Sequence, residues 1–245
     1  AERAAEILER WRGVDFVIRG EAERPIEELA GILAGHGGTL DEVANLVRRT
    51  GDRVATSTPV YVADRADLDR LDFARLDLVR HHRDYNAQFA RDDRGWSHHP
   101  IFYLCTGRGC TLDCIFCSGG RSGQRLLAGR RTVTFRSVDR VAGEIERLPG
   151  QGIRTVCAAF DPPPHSEPYH RDLFAVIRGK DLPLSMVFEC YRPPSGAFLE
   201  EFARTFDPQG SRIFFSPTVG DDRLRARLLG AFALGAGEGY VYIRQ

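Results

Sequence analysis

Lysine is nearly missing: Lys180 is the single one among 245 residues, and arginine carries the rest of the positive charge. Methionine is as scarce, with Met186 alone, and the chain opens on Ala1, so a longer parent protein is expected. Arginine in place of lysine, with much alanine and glycine, is what a GC-rich coding sequence produces. Pairs such as Arg130-Arg131 therefore say little about phosphate binding, and a solvated face is the plainer reading. Net charge is absent too. Lys plus Arg number 34 and Asp plus Glu number 34, which leaves no global field to recruit nucleic acid. No apolar run approaches the ~20 residues that span a bilayer, and no signal peptide is visible. Neither nucleic acid nor membrane is an expected partner. Six cysteines, three of them crowded together, do not make a disulfide framework and suit a reducing cytoplasm.

Those three cysteines are the most informative residues present. Cys110, Cys114 and Cys117 lie in Gly109-Cys110-Thr111-Leu112-Asp113-Cys114-Ile115-Phe116-Cys117. Three thiolates at this spacing can converge on one soft metal centre, and three ligands leave one iron of a four-iron cluster open for a substrate or cofactor. The alternative is a zinc knot with Cys105 as fourth ligand. Zinc sites usually pair two Cys-x-x-Cys units across a longer loop, and here there is one. Cys105 also ends the apolar run Ile101-Phe102-Tyr103-Leu104, which reads as a buried strand.

Around the motif the chain is patterned as α/β. Residues 3–12 read as a helix, Val14 to Glu21 as a strand, and Ile26 to Ala34 as a helix with Ile26, Leu29, Ala30 and Leu33 on one face. This order is that of the end of a doubly wound domain with a parallel-type strand. Residues 51–99 are polar and read as a linker with a short hairpin, holding His81-His82 and His98-His99. From residue 100 strands are expected at 101–105, 154–160, 184–190, 211–216 and 239–243. Helices are expected near 137–148, 169–179, 196–206 and 221–229, the first with Ser137 as N-cap and Val138, Val141, Ile145 and Leu148 buried. Such repeats build a parallel sheet or barrel whose site lies at the strands' carboxyl ends. Cys157 and Cys190 read as core thiols, while His165 and His170 lie near a strand end as acid–base candidates.

At Cys110, Cys114, Phe116 and Cys117 the sequence resembles the radical S-adenosylmethionine (SAM) enzymes, whose signature is Cys-x-x-x-Cys-x-aromatic-Cys after the first strand of a βα barrel. The resemblance implies a 4Fe-4S cluster on the three cysteines and SAM on its open iron. One electron, from a reductant such as flavodoxin, then yields a 5′-deoxyadenosyl radical. It also implies backbone contacts to the cluster at Gly119 and Gly120, and SAM contacts at the strand ends Asp161, Glu189, Arg192 and Ser216. The family's glycine-glycine-glutamate patch is not recognisable on the second strand, where Asp161-Pro162-Pro163-Pro164-His165 stands. Val14 to Glu23 resembles the closing strand of the cobalamin-binding domain that precedes many such cores. The Asp-x-His-x-x-Gly signature of that domain would lie upstream of Ala1, and His98 or His99 is a weak candidate ligand.

The expectation is an α/β protein: residues 1–50 the C-terminal part of a Rossmann-like cobalamin-binding domain, 51–99 a linker, and 100–245 a partial βα (TIM-like) barrel. The expected function is that of a cobalamin-dependent radical SAM enzyme, cytoplasmic, transferring a methyl group to an unactivated carbon of a small-molecule specialised metabolite. The alternatives are a radical rearrangement or oxidation without methyl transfer, and a zinc-stapled binding module without catalysis. No catalytic side chain can be named from the sequence.

Overall fold

The structure is a computed structural model that describes residues 2–85, 100–159, 166–191, 193–215, 219–221, 223, 224 and 227. Its contacts divide the chain into two units, one of residues 1–68 and 109–133, the other of residues 69–108 and 134–245.

In the second unit the apolar runs form a four-stranded parallel sheet ordered β4 (Ile101–Tyr103), β7 (Thr155–Ala159), β8 (Ser185–Cys190), β9 (Arg212–Phe215). The register pairs Cys157 with Tyr103 and Val187, and Glu189 with Ala159 and Phe214. Because side chains alternate along a strand, this register fixes two faces. Phe102, Val156, Ala158, Met186, Phe188 and Cys190 point to one face and form the main core with the helices. Ile101, Cys157, Val187 and Phe214 form a smaller cluster on the other.

The helices on the first face are α5 (Val138–Arg147), α6 (Glu167–Gly179) and α7 (Gly196–Thr205). In α5 the expected stripe is the buried one: Val141, Ile145 and Leu148 are enclosed and Val138 packs beside them. Ser137 holds the N-cap position, but its hydroxyl makes no capping bond. Its N–H donates to Asp69 Oδ1 at 2.9 Å instead. Phe174 of α6 and Phe198 of α7 meet edge to face at 5.3 Å, and Phe188 of β8 lies 5.2 Å from Phe198. Each such pair adds about 0.5–1.5 kcal/mol beyond its buried area. A second feature of this core is polar. Arg136 and Glu144 are both buried and share two hydrogen bonds, at 2.5 and 2.9 Å. Arg136 also donates to the carbonyls of Cys105 and Leu71, and Glu144 accepts the N–H of Phe73.

In the first unit a three-stranded sheet runs β1 (Phe16–Ile18), β2 (Leu46–Thr50), β3 (Arg53–Thr56). Helix α1 (Glu2–Arg10) covers the Val17 and Val47 face through Ala4 and Leu8. Helix α2 (Glu23–Leu33) belongs to the cluster of Phe16, Ile18 and Leu46 on the other face. The helix–strand–helix order is as expected, but β1 pairs antiparallel with β2, not in the parallel manner read from the sequence. The hairpin turns at Gly51, with φ of 61°, so that β2 starts before the residue 50 boundary. The buried residues of α2 are Pro25 and Leu29, with Ile32 partly buried, whereas Ile26, Ala30 and Leu33 of the expected face are exposed. Two apolar stripes share Leu29, and the sheet takes the one that faces Leu46. Residues 65–70, read as linker, form the short helix α3 (Arg65–Arg70) with Leu68 buried.

Of the remaining expectations, the strand at 239–243 and residues 222, 225, 226, 228 and 229 of the helix at 221–229 lie outside the described residues, and 223, 224 and 227 are helical.

Candidate metal centre

Strand β4 is followed by the two-residue β5 (Gly107–Arg108), which pairs antiparallel with β6 (Thr134–Phe135). The cysteine segment runs between them. Gly109 has φ of 103°, and a Cβ there would come within 2.9 Å of the Thr132 carbonyl and Val133 Cα. Only glycine lets the two ends of the segment lie so close.

Within the segment the backbone coils on itself. The Cys117 N–H donates to the Cys114 carbonyl at 3.1 Å, and the Gly120 N–H to the Cys117 carbonyl at 3.2 Å. The Leu112 N–H points at Cys110 Sγ, 3.4 Å away. Cys110 and Cys114 are partly buried and Cys117 is exposed. Burial pushes the Cys114 thiol up from its ordinary range, and the nearby thiolates of Cys110 and Cys117 push it further. A metal that takes all three as thiolates must therefore displace protons, as is usual for cysteine sites.

The glycines expected near the cluster do lie against the cysteines. A Cβ on Gly119 would sit 3.5 Å from Cys117 Sγ, and one on Gly120 would lie 3.3 Å from the carbonyls of Cys117 and Leu112. At Gly123 the hydrogens face the Ser118 carbonyl so closely that a Cβ would overlap it at 2.1 Å. This glycine lies in α4 (Arg121–Ala128), a helix where the sequence shows a glycine turn. Asp113 starts that helix from within the motif. Its carboxylate accepts the Ser122 N–H at 2.9 Å and hydroxyl at 2.7 Å, and these bonds hold its pKa below the usual range. Phe116 is 63% exposed, with Ile115 beside it.

Do these residues fit an iron–sulfur cluster? The donor set is three thiols in one glycine-lined loop. The Thr111 hydroxyl is buried there without a hydrogen-bond partner among the described residues, which is a donor suited to a sulfide or thiolate. Among the described residues no three Cys, His, Asp or Glu side chains are gathered tightly enough for a single metal ion. A four-iron cluster makes a different demand, since each thiolate binds a different iron. The residues fit the cluster. A cleft of about 380 Å³ beside the loop is lined by Asp113, Arg121, Ser122, Arg125 and Arg131.

The other sequence candidates are placed as follows. Glu189 lies on the sheet face away from the helices, next to the carboxyl end of β8. Burial, with the Glu189 charge adding to it, lifts the Cys157 thiol to about 12, so Cys157 stays protonated in the core. Cys190 faces the helix layer. Cys105 is partly buried with its thiol toward the Gly107 carbonyl, and burial raises its pKa. His170 is not an acid–base group in solvent contact. It is buried among Phe135, Tyr169, Phe174 and Phe188, and donates from Nδ1 to the Ser166 carbonyl at 2.8 Å. Burial lowers its pKa to about 4. His81 and Asp84 are exposed, with His81 Nδ1 3.4 Å from Asp84 Oδ2. Asp161, Arg192, Ser216, His165, His98 and His99 lie outside the described residues.

Arg130, read from the sequence as part of a solvated Arg130-Arg131 face, is instead buried, because Glu21 takes its charge out of water. It is 2% exposed and pairs with Glu21 through two hydrogen bonds of 2.5 and 2.8 Å.

Comparison with known proteins bears on the family and the fold. The Radical SAM superfamily profile matches residues 104–231. No curated protein sequence matches the chain. Among solved structures, the radical S-adenosylmethionine methyltransferase TsrM from Kitasatospora setae, with cobalamin and a [4Fe-4S] cluster bound, is 18% identical with a TM-score of 0.58. The same enzyme with tryptophan substrate and the SAM analogue aza-SAM is 19% identical with a TM-score of 0.62. Both similarities cover 98% of this chain and 43% of TsrM. The cobalamin-dependent SAM radical enzyme OxsB, with aqua-cobalamin bound, is 15% identical with a TM-score of 0.64, over 93% of this chain and 31% of OxsB. The chain thus spans less than half the length of the structures it resembles. At these identities the likeness is one of fold, a mixed α/β fold with a parallel sheet.

Proposed function

The chain belongs to the radical SAM superfamily, and on that premise we propose that it is part of a cobalamin-dependent enzyme that methylates an unactivated carbon of a small molecule. One observation carries the cobalamin element. Ahead of the cysteine motif stands a β-sheet with α1 on one face and α2 on the other, and the fold likeness to cobalamin-binding enzymes runs through it to 98% of the chain.

When bound, the cluster and SAM together would supply a 5′-deoxyadenosyl radical able to take hydrogen from carbon, and cobalamin would supply a methyl carrier. The chain's own residues hold and orient. Cys110, Cys114 and Cys117 would ligate three irons and leave the fourth for the amino and carboxylate groups of SAM. Gly119 brings backbone rather than side chain against Cys117 Sγ, and Gly120 does so against the backbone of Cys117, Leu112 and Cys114. Phe116, exposed beside Cys117, would shield the cluster edge from water. Glu189 would accept the ribose hydroxyls of SAM, with Asp161, Arg192 and Ser216 as further contacts. An acidic reductant of the flavodoxin type suits the loop's surroundings, where Arg121, Arg125 and Arg131 line one cleft.

The test is to express the full-length parent protein with cobalamin supplied, reconstitute it anaerobically, and incubate it with methyl-labelled SAM. Cobalamin should co-purify and label should reach it. If neither happens but SAM is still cleaved to 5′-deoxyadenosine, the reaction is a radical rearrangement or oxidation without methyl transfer. No helix among the described residues is long and apolar enough to cross a membrane.

A further inference from the structure

The cysteine segment has almost no core of its own. Among residues 109–133 only Leu112, Gly120 and Arg130 are buried, and α4 buries none of its eight residues. Leu126 and Leu127 are largely exposed. A segment that buries so little apolar surface cannot fix its shape by hydrophobic contact alone. Its largest buried side chain is the Arg130 guanidinium.

That guanidinium is held with unusual completeness. Nε and Nη2 donate to the two carboxylate oxygens of Glu21, Nη2 donates again to the Ala63 carbonyl at 2.7 Å, and Nη1 donates to Thr132. Glu21 is 6% exposed, and its Oε2 also accepts the Ala63 N–H at 2.7 Å. Its backbone is fixed in turn. The buried Asn45 side chain donates to the carbonyls of Glu21 and Tyr61 and accepts the Tyr61 N–H. Next to Glu21, Gly20 has φ of 70°, and a Cβ there would come within 3.0 Å of Ala128 Cα at the end of α4. The segment meets residues 1–68 through this bare glycine contact, through the forked ion pair, and at Gly129, where a Cβ would lie 3.5 Å from the side chains of Val60 and Val62.

We infer that Glu21 and Arg130 are a positioning pair for the cysteine loop: through Arg130 they set the arrangement in which Cys110, Cys114 and Cys117 present themselves to a cluster. The inference rests on the iron–sulfur reading for its consequence but not for its test. A fork of two parallel bonds defines orientation as well as distance, which a single point charge does not. With the fork broken, the segment keeps its covalent ends at Gly109 and Val133 and the close contact of Gly129 with Val60 and Val62, but loses its buried polar anchor between α4 and β6.

The experiment is hydrogen exchange, read peptide by peptide on the cluster-free chain, for wild type, Glu21→Gln, Arg130→Lys and the control Glu144→Gln. The control breaks the other buried Arg–Glu pair, which lies outside the segment. Glu21→Gln should speed exchange across residues 110–128 at least tenfold and leave β7 and β8 at wild-type rates. Arg130→Lys, which keeps charge but not the fork, should fall between, and it serves as the test if Glu21→Gln does not fold. Exchange within twofold of wild type in the folded variants, or an equal increase in Glu144→Gln, overturns the inference. A second reading follows cluster loading: Glu21→Gln should change the electron paramagnetic resonance signature of the reduced cluster, which a loss of general stability would not do. If wild type itself takes up no cluster, the family-derived function fails while the exchange result still stands or falls alone.

Discussion

Acid should destabilise this protein through His170 in a way that can be isolated from every other titration. The imidazole is sealed among Phe135, Tyr169, Phe174 and Phe188, and its Nδ1–H is spent on the Ser166 carbonyl. Burial lowers its pKa from 6.5 to about 4. In the folded state the ring thus stays neutral where the unfolded chain would already bind a proton. The neutral ring's contribution to stability is complete above about pH 6.5. It is lost as the pH falls from there through about 4. Each unit in that window costs about 1.4 kcal/mol, so roughly 3 kcal/mol is at stake. Set against a total stability of about 5–15 kcal/mol, that loss is large. The assay compares urea unfolding of wild type and His170→Phe at half-unit steps from pH 7.5 to 5. Phenylalanine fits the aromatic surroundings, and carboxylate titration is common to both chains and cancels in the difference. Wild type should weaken relative to the variant by about 1.4 kcal/mol per unit below 6.5. A difference that stays constant across the range would refute the argument, as would an imidazole resonance titrating near 6.5 in the folded protein.

Further outcomes are expected at the cysteines, at Glu189 and at the buried Arg136–Glu144 pair. Cys114→Ala should abolish 4Fe-4S assembly and SAM cleavage, whereas Cys105→Ala should leave iron content unchanged; metal analysis after anaerobic reconstitution checks both. Glu189→Gln should weaken SAM binding about 10- to 100-fold, the loss of charge-assisted bonds of about 1.5–3 kcal/mol, with iron content intact, as read by calorimetry. Glu144→Gln should cost about 3–5 kcal/mol in denaturant unfolding, because it strands the buried Arg136 charge. Replacing both partners by apolar residues should not restore full stability, because the carbonyls of Cys105 and Leu71 then lose their donor.

The parts of the fold that local pattern dictates were legible in the sequence. Strand cores such as Thr155–Ala159 and Ser185–Cys190, and the α5 stripe of Val141, Ile145 and Leu148, follow from runs and periods of apolar residues. What was not legible depends on partners far along the chain. Arg130 is an ordinary arginine until Glu21, 109 residues away, takes it out of water. Helix α4 begins at a glycine-rich stretch because Asp113, nine residues from Ser122, supplies its cap. The choice between two stripes on α2 was made by β2, which only the pairing of strands brings into place. At the site, the spacing of Cys110, Cys114 and Cys117 was plain, since ligands within eight residues need no tertiary fold to be recognised. His170 read as an acid–base group because proximity to a strand end says nothing about which side of a helix faces the core.

The close approach of Gly109 to Thr132 and Val133 has a consequence for anyone building hybrids of this protein. A stretch whose two ends lie side by side can be lengthened, shortened or exchanged without shifting the strands that flank it, so residues 109–133 have the form of a cassette. It is not a free one. Moved into a relative, it would bring Arg130 to a chain that must offer a carboxylate after a glycine in the place of Gly20 and Glu21. Chimaeras that respect that pairing should express as soluble, loadable protein. Those that join the cassette to an unmatched N-terminal region should assemble the sheet and still lose the segment to proteases.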